Sequence, residues 1–107
     1  MPKTAVITGG ASGIGEACAR RFAADGAFVW VLDADAARAE AVAASIAAAG
    51  GAARALAIDV TDDAALDAAA RRIEAETGAP DALVTSAGIL EKVANVLDED
   101  MAVHDRV

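Results

Sequence analysis

The stretch TGGASGIG, Thr8 to Gly15, decides the fold, because it joins a short apolar run to a helical pattern through glycines. Where a strand enters a helix in this way, unpaired backbone N–H groups point outward together and the helix dipole adds partial positive charge. Gly9, Gly13 and Gly15 allow a tight turn, close approach of a pyrophosphate and close helix–strand packing. The Ser12 hydroxyl is a further donor. The turn is predicted to bind phosphate; the alternative is a flexible connection that binds nothing.

Four short apolar runs alternate with longer amphipathic segments. The runs are TAVIT (4–8), FVWVL (28–32), RALAI (54–58) and DALVTS (81–86). Each is apolar on both faces, as expected of parallel strands covered by helices on both sides. Right-handed crossovers between them predict an α/β fold, a Rossmann-like doubly wound parallel sheet in three α/β/α layers with strand order 3-2-1-4.

The segments between the strands have helical periodicity. An apolar stripe of Ile14, Cys18 and Phe22 marks the first helix, which Gly26 ends. The second helix is predicted over 35–49, with Val42 and Ile46 facing the core and Gly50–Gly51 closing it.

A third helix is predicted to begin at Thr61 as its N-cap. Its inward residues are Leu66, Ala70 and Ile73, Asp67 is placed to pair with Arg71, and Gly78 and Pro80 end it. After Gly88, ILEKVANV is interpreted as a loop and LDEDMAVHDRV as the first turns of a fourth helix.

Length and charge limit the classes of protein. The 107 residues suit one domain over 1–107, no apolar run approaches the roughly 20 residues of a membrane span, and no secretory signal is present. A cytoplasmic location is therefore expected. One cysteine, Cys18, excludes an internal disulfide and a thiolate zinc site. The net charge of −8 argues against a nucleic-acid partner.

An acidic residue ends the second apolar run. Asp33 lies 18 residues after Gly15, near the roughly 20-residue spacing at which a carboxylate reaches the adenosine ribose of a dinucleotide. Such a carboxylate repels a 2′-phosphate, and neither Ala34 nor Ala11 is basic, so NAD is expected in preference to NADP. The alternative for Asp33 is a cap or turn residue before the second helix.

Three motifs in order resemble the short-chain dehydrogenase/reductase family across essentially the whole chain. TGGASGIG is similar to its Thr-Gly-x-x-x-Gly-x-Gly coenzyme loop, IDVTD to its adenine-contacting segment, and TSAGI to its Asn-Asn-Ala-Gly segment. The resemblance implies coenzyme contacts from ten residues: Gly9, Ser12, Gly13, Ile14, Gly15, Asp33, Asp59, Val60, Ala87 and Gly88. Taken singly, Asp59 could instead cap the third helix, and TSAG could be any strand end.

The chain departs from this family in two places. Thr85 and Ser86 stand where the family usually carries asparagines. The resemblance implies hydride transfer between an alcohol and a carbonyl, with a Tyr as acid/base, a Lys that lowers the pKa of that Tyr and a Ser that steadies the substrate oxygen. This chain has no tyrosine, and its only lysines are Lys3 and Lys92. His104 is interpreted as an exposed structural residue.

Cys18 is interpreted as a core residue without a basic partner, and Trp30 as part of the core. No residue is therefore predicted to be catalytic, and no metal site is expected.

Three hypotheses follow. The first is the N-terminal, coenzyme-binding part of an NAD-dependent member of the family, truncated, inactive alone, and partnered by its missing C-terminal half and further copies of itself. The second is a non-catalytic nucleotide-binding or interaction module. The third is a methyltransferase-like fold that binds S-adenosylmethionine.

Overall fold

The computed structural model describes residues 3–9, 13–59 and 61–84 of the chain. Strands and helices alternate through these residues, as predicted from the apolar runs. The elements are β1 Thr4–Thr8, α1 Gly13–Ala24, β2 Phe28–Asp33, α2 Ala36–Ala48, β3 Ala52–Ala57, α3 Asp63–Thr77 and β4 Ala82–Val84. The predicted loop at 89–96, the fourth helix at 97–107 and positions 85–86 of the fourth run lie outside the described residues.

The four strands form one parallel sheet in the order β3-β2-β1-β4, which confirms the predicted topology. In its register Val6 pairs with Trp30 on one side of β1, and Ile7 pairs with Val84 on the other. Since all pairs are parallel, the carboxyl ends of the strands lie along one edge of the sheet, where crossover folds of this class place their ligands.

Helices cover both faces of the sheet and make three layers. Alternate residues of β1 and β2 face α1 and α2 in one buried cluster, which contains Ala5, Ile7, Ala19, Val29, Val31, Ala39, Val42 and Ile46. The intervening residues face α3 in a second cluster, which contains Val6, Trp30, Leu32, Leu56, Ala69 and Ile73. The predicted core positions of α2 and α3 are all buried, which confirms them, and Trp30 is fully buried.

Two strands depart from the prediction that every strand is buried on both faces: the residues of β4, Ala82–Val84, are half-buried, and those of β3 depart further. Among the residues of β3 only Leu56 is buried, and Arg54 is exposed. β3 lies at one end of the strand order, and its side chains are mostly alanines. α2 covers one face of β3, where Ala53 and Ala55 pack against the first cluster, whereas Arg54 is exposed on the other face.

Ile14 also departs from its predicted place in the apolar stripe of α1. Its exposed fraction is 82%, whereas Cys18 and Phe22 are half-buried and pack against the first cluster. Ile14 lies in the first turn of α1, at the carboxyl edge of the sheet rather than over its centre, so helical spacing alone does not bury it.

The three helices end at the predicted glycines, but α3 begins at a different N-cap from the one predicted. Gly26, Gly50 and Gly78 all have positive φ after α1, α2 and α3. The N-cap of α3 is Asp62 rather than Thr61: Asp62 Oδ1 accepts hydrogen bonds from the backbone N–H groups of Ala64 (3.0 Å) and Ala65 (3.1 Å). Either residue type can cap a helix, but the Thr61 hydroxyl is engaged with Asp59, to whose Oδ1 it donates at 2.6 Å.

Close packing between α2 and β3 makes Gly51 sensitive to substitution. A Cβ on Gly51 would lie 2.9 Å from Ile46 Cγ2 and 3.3 Å from Ala23 Cβ. We expect Gly51→Ala to lower the free energy of unfolding by about 1–3 kcal/mol through overpacking, measured by urea denaturation. Combining it with Ile46→Leu, which moves the obstructing methyl group, should cost less than the sum of the two changes; strict additivity would contradict the proposed clash.

Candidate coenzyme-binding site

The candidate site lies along the carboxyl edge of β1, β2 and β3. Neighbouring strands are about 4.8 Å apart, so residues that end adjacent strands come close together. Gly9 follows β1, Asp33 ends β2, and the backbone N–H of Gly9 donates to the carbonyl oxygen of Leu32 at 2.7 Å. The structure therefore places Gly9 beside Asp33, the acidic residue that the sequence singled out.

The glycine turn has backbone conformations that suit glycine. Gly9 has φ 66° and Gly13 has φ 58°, values that L side chains rarely adopt. Among residues 3–9, 13–59 and 61–84, no atom comes within 4 Å of a Cβ built at either position, so this part of the chain leaves open space in front of both. Because the Gly9 N–H is used in the sheet, we expect the phosphate donors to come from the first turn of α1, which begins at Gly13.

Asp33 shapes the turn that leads from β2 into α2. Its Oδ1 accepts a hydrogen bond from the backbone N–H of Asp35 at 3.0 Å, and its carbonyl oxygen accepts one from the N–H of Ile58 at 3.1 Å. Asp33 is half-buried. It is therefore a turn residue, as one interpretation predicted, but the cap of α2 is Asp35, whose Oδ1 accepts from the N–H of Arg38 at 3.1 Å.

Asp59 has a similar place after β3. Its Oδ1 accepts hydrogen bonds from the backbone N–H of Thr61 (2.9 Å) and from Thr61 Oγ1 (2.6 Å), and the residue is exposed. The suggestion that Asp59 caps the third helix is wrong, because Asp62 is that cap. Asp59 thus occupies the same edge of the sheet as Asp33, one strand further from the glycine turn.

Several predicted site residues fall outside the described part of the chain. These are Ser12, Val60, Ala87 and Gly88, together with Thr85, Ser86 and His104. Gly15 lies within α1 and is half-buried, and the exposed Ile14 lies beside it.

Comparison with known proteins gives the family. A family model described as short chain dehydrogenase matches residues 3–107. The chain belongs to the short-chain dehydrogenase family. This confirms the resemblance carried by the three motifs, and it argues against the methyltransferase-like alternative.

Relatives of this short-chain dehydrogenase are much longer than the chain itself. Galactitol 2-dehydrogenase of Agrobacterium fabrum (strain C58) is 47% identical over 89 residues, which cover 83% of this chain and 34% of that protein. The chain therefore spans about a third of the length of this curated relative. Members of the family are oxidoreductases that bind NAD or NADP.

Solved structures of the family share the fold and include both coenzymes. A metagenomic short-chain oxidoreductase in complex with NADP superimposes with a TM-score of 0.78 at 30% identity, over 94% of this chain and 55% of that one. A protein described as a D-mannonate oxidoreductase of Haemophilus influenza, with bound NAD, gives a TM-score of 0.72 at 28% identity, over 76% and 29% of the two chains. Similarity to these structures therefore does not distinguish NAD from NADP, and a preference must be inferred from this chain's own residues.

Within the ranges 3–9, 13–59 and 61–84, no cluster of three or more His, Cys, Asp or Glu side chains is arranged to hold a metal ion. In the same ranges no helix combines the length and apolarity needed to cross a membrane.

One residue of this short-chain dehydrogenase was not singled out from the sequence. Asp35 caps α2 with its side chain and holds the Asp33 carboxylate with its backbone N–H. Its signal in the sequence is the Asp-x-Asp spacing at the end of an apolar run, directly before a helical pattern. Spacing shows that both residues suit turns and caps. Only the structure shows that the Asp33 side chain accepts from the Asp35 N–H, while the Asp35 side chain accepts from the N–H of Arg38.

Proposed function

We propose that this chain is the coenzyme-binding part of an NAD-dependent oxidoreductase that acts on an alcohol–carbonyl pair. The observation that carries the proposal is the Asp33 carboxylate at the end of β2, one strand from the glycine turn and the amino end of α1. Together these groups offer a positive helix end for the pyrophosphate and an acceptor for the hydroxyls of the adenosine ribose.

The described residues fit a dinucleotide. The open space in front of Gly9 and Gly13 admits phosphate oxygens close to the backbone, and Gly13 begins the helix whose first N–H groups have no partner within the helix. On this proposal Asp59 and Val60 lie against the adenine, and Ser12, Ile14, Gly15, Ala87 and Gly88 complete the coenzyme contacts.

The preference for NAD rests on charge. A carboxylate accepts hydrogen bonds from ribose hydroxyls but repels a phosphate group on the same ribose. Asp33 and Asp35 both lie where β2 ends, and the residue between them, Ala34, offers no positive charge. A 2′-phosphate placed there would meet two carboxylates without a basic side chain at the intervening position.

The chain's own chemistry supports binding without turnover. A bound nicotinamide coenzyme supplies or takes up the hydride, and the family resemblance assigns the proton transfer to a tyrosine. The chain contains no tyrosine. We propose that the remainder of a longer cytoplasmic protein supplies the Ser, Tyr and Lys together with the substrate pocket, and that further copies of the protein associate with it.

The same absence of tyrosine favours a second candidate, a nucleotide-binding module without catalysis. Purified chain that is a stable monomer and binds NAD or ADP-ribose at a stoichiometry of one would favour the module. A coding sequence that continues in frame into Ser and Tyr-x-x-x-Lys would favour the oxidoreductase.

Asp33→Ala tests the ribose contact. We expect this variant to raise the dissociation constant of NAD by about 10- to 100-fold, because hydrogen bonds to a charged acceptor are lost. The dissociation constant of NADP should change much less. Isothermal titration calorimetry with both coenzymes measures the two dissociation constants. Asp67→Ala, which removes the same charge from the exposed surface of α3, is the matched control. Equal losses for NAD and NADP in Asp33→Ala would contradict the assigned contact.

A further inference from the structure

An open groove separates the carboxyl halves of α1 and α2, the two helices that pack on the first cluster. Its volume is about 360 Å³, and it is lined by Arg20, Ala23 and Ala24 of α1 and by Ile46 of α2. Arg20 is the lining residue nearest the amino end of α1. Because most of these side chains are small and the space between them is open, apolar contacts fix the separation of the two helices only in part.

Arg20 connects the two helices beside this groove. Its Nε and Nη2 groups donate to Glu16 Oε2 at 2.9 and 2.7 Å, one turn earlier in α1. Its Nη1 donates across the gap to Ser45 Oγ of α2 at 2.9 Å. Glu16 thus holds the planar guanidinium in one orientation on α1, and the remaining arm of that rigid fork reaches α2. The Arg20–Ser45 hydrogen bond is therefore a link of defined length between the helices.

Each of these helices is tied to one part of the candidate coenzyme site. α1 begins at Gly13, where we place the pyrophosphate. α2 is capped by Asp35, whose backbone N–H holds the Asp33 carboxylate, so a movement of α2 also moves the group that we place beside the adenosine ribose. A dinucleotide binds at both places at once. The separation of α1 from α2 therefore has to match the distance between the pyrophosphate and the ribose hydroxyls.

We propose that Arg20 and Ser45 are positioning residues for the coenzyme, which hold α1 and α2 at the separation that a dinucleotide fits. The inference rests on the proposed function, because it assumes a pyrophosphate at α1 and a ribose beside Asp33. Arg20 and Ser45 act through the helices, since their hydrogen bond lies about two turns along α1 from Gly13. Without this bond the fitting arrangement is populated for a smaller fraction of the time, and the dissociation constant rises in inverse proportion to that fraction.

Ser45→Ala is the most direct test of this link. It removes the acceptor on α2 without changing any charge, and alanine favours a helix at least as strongly as serine, so α2 itself is not weakened. Ser45→Thr keeps a hydroxyl group at the same position and is the conservative variant that should retain binding. Calorimetric titration with NAD measures the dissociation constants, and urea denaturation measures the free energy of unfolding of each variant.

We expect Ser45→Ala to raise the dissociation constant of NAD by about 3- to 10-fold, with a free energy of unfolding close to that of the wild type. Ser45→Thr should stay within about twofold of the wild type, because it retains the acceptor. In the Asp33→Ala background the effect of Ser45→Ala should shrink to within about twofold, because the ribose contact that the link positions is already gone. Merely structural damage would instead lower the affinity by the same factor in both backgrounds.

Arg20→Lys tests the other end of the link while keeping the positive charge on α1. A lysine has a single amino group and cannot hold Glu16 and Ser45 in the same planar fork, so it should raise the dissociation constant of NAD as Ser45→Ala does. Arg21→Lys is the matched control, because Arg21 is the next residue of α1 and its Nε donates to Asp25 Oδ2 at the end of the same helix, at 3.3 Å. This control should leave NAD binding unchanged.

Wild-type affinity for NAD in either Ser45→Ala or Arg20→Lys would overturn the positioning role. So would an equal loss from Ser45→Ala with and without the Asp33 carboxylate, or a loss in Arg21→Lys as large as that in Arg20→Lys. The proposed function survives these results if the wild-type chain binds NAD and Asp33→Ala weakens that binding. A wild-type chain that binds neither NAD nor NADP would overturn the proposed function and this inference together.

Discussion

Trp30→Ala is expected to lower the free energy of unfolding by about 3–5 kcal/mol, the usual cost of truncating a buried tryptophan. Trp30 is fully buried in β2, between the sheet and α3. Its ring lies 5.6 Å from that of Phe28, and the Arg54 guanidinium lies 5.7 Å from its centre. Since the free energy of unfolding of a domain of this kind is about 5–15 kcal/mol, this substitution removes a large share of the stability. Urea denaturation followed by far-UV circular dichroism measures the change.

The indole N–H gives this prediction a finer control. Trp30 Nε1 donates to Thr77 Oγ1 at 3.0 Å, and Thr77 Oγ1 donates to the carbonyl oxygen of Ile73 at 3.0 Å. Thr77→Val leaves the buried N–H without this acceptor and should cost about 1–3 kcal/mol. Trp30→Phe removes the donor, so the Trp30→Phe/Thr77→Val pair should cost less than the sum of its members. A cost below about 1 kcal/mol for Trp30→Ala would contradict the described core.

The topology could be predicted because the sequence patterns that indicate its strands, helices and helix ends are long or occur several times. β1 and β2 are uninterrupted apolar runs, α2 and α3 have clear helical stripes, and positive-φ glycines end all three helices. Given alternating strands and helices, the handedness of crossovers leaves few possible strand orders. The order β3-β2-β1-β4 needed no knowledge of individual contacts.

The errors share a physical origin, since each depends on where an element lies relative to its neighbours. Ile14 has the spacing of a core residue, but its position in the first turn of α1 leaves it 82% exposed. β3 has an apolar composition, but its place at the end of the strand order leaves it partly uncovered. Thr61 and Asp62 are both good caps, and only the turn made by Asp59 decides between them.

The candidate site was predictable to the level of residue types and strand ends. The glycine turn and Asp33 follow from spacing and the expected sheet. The direction of the Asp33 carboxylate does not, because it depends on a hydrogen bond from the backbone N–H of Asp35 in the same turn. The Gly9 N–H donates within the sheet, so the first turn of α1 is the expected source of phosphate donors. That contact depends on how β1 packs beside β2 and could not be predicted from the sequence.

Substitution of Gly13 separates the phosphate site from the ribose site. Gly13 begins α1 with φ 58°, and within the part of the chain that the structure describes a Cβ there would meet no atom within 4 Å. A side chain at this position therefore costs the fold backbone strain alone, about 1–2 kcal/mol for a residue held in the left-handed region. The same side chain would fill the open space that we assign to the pyrophosphate, which NAD and NADP have in common.

Gly13→Val is therefore expected to raise the dissociation constants of NAD and NADP equally, by at least about 100-fold, because hydrogen bonds from the first turn of α1 to a charged phosphate are lost. Calorimetric titration with both coenzymes measures the loss. Gly26→Val is the matched control: Gly26 has φ 96° after the carboxyl end of α1, and a Cβ there also meets no atom of the described residues within 4 Å. It should cost similar stability and leave both dissociation constants within about twofold, because it lies at the other end of the helix from the positive dipole. If Gly13→Val binds both coenzymes with wild-type affinity, the pyrophosphate does not bind at Gly13. If only the affinity for NAD falls, Gly13 acts on the ribose site and not on the shared pyrophosphate.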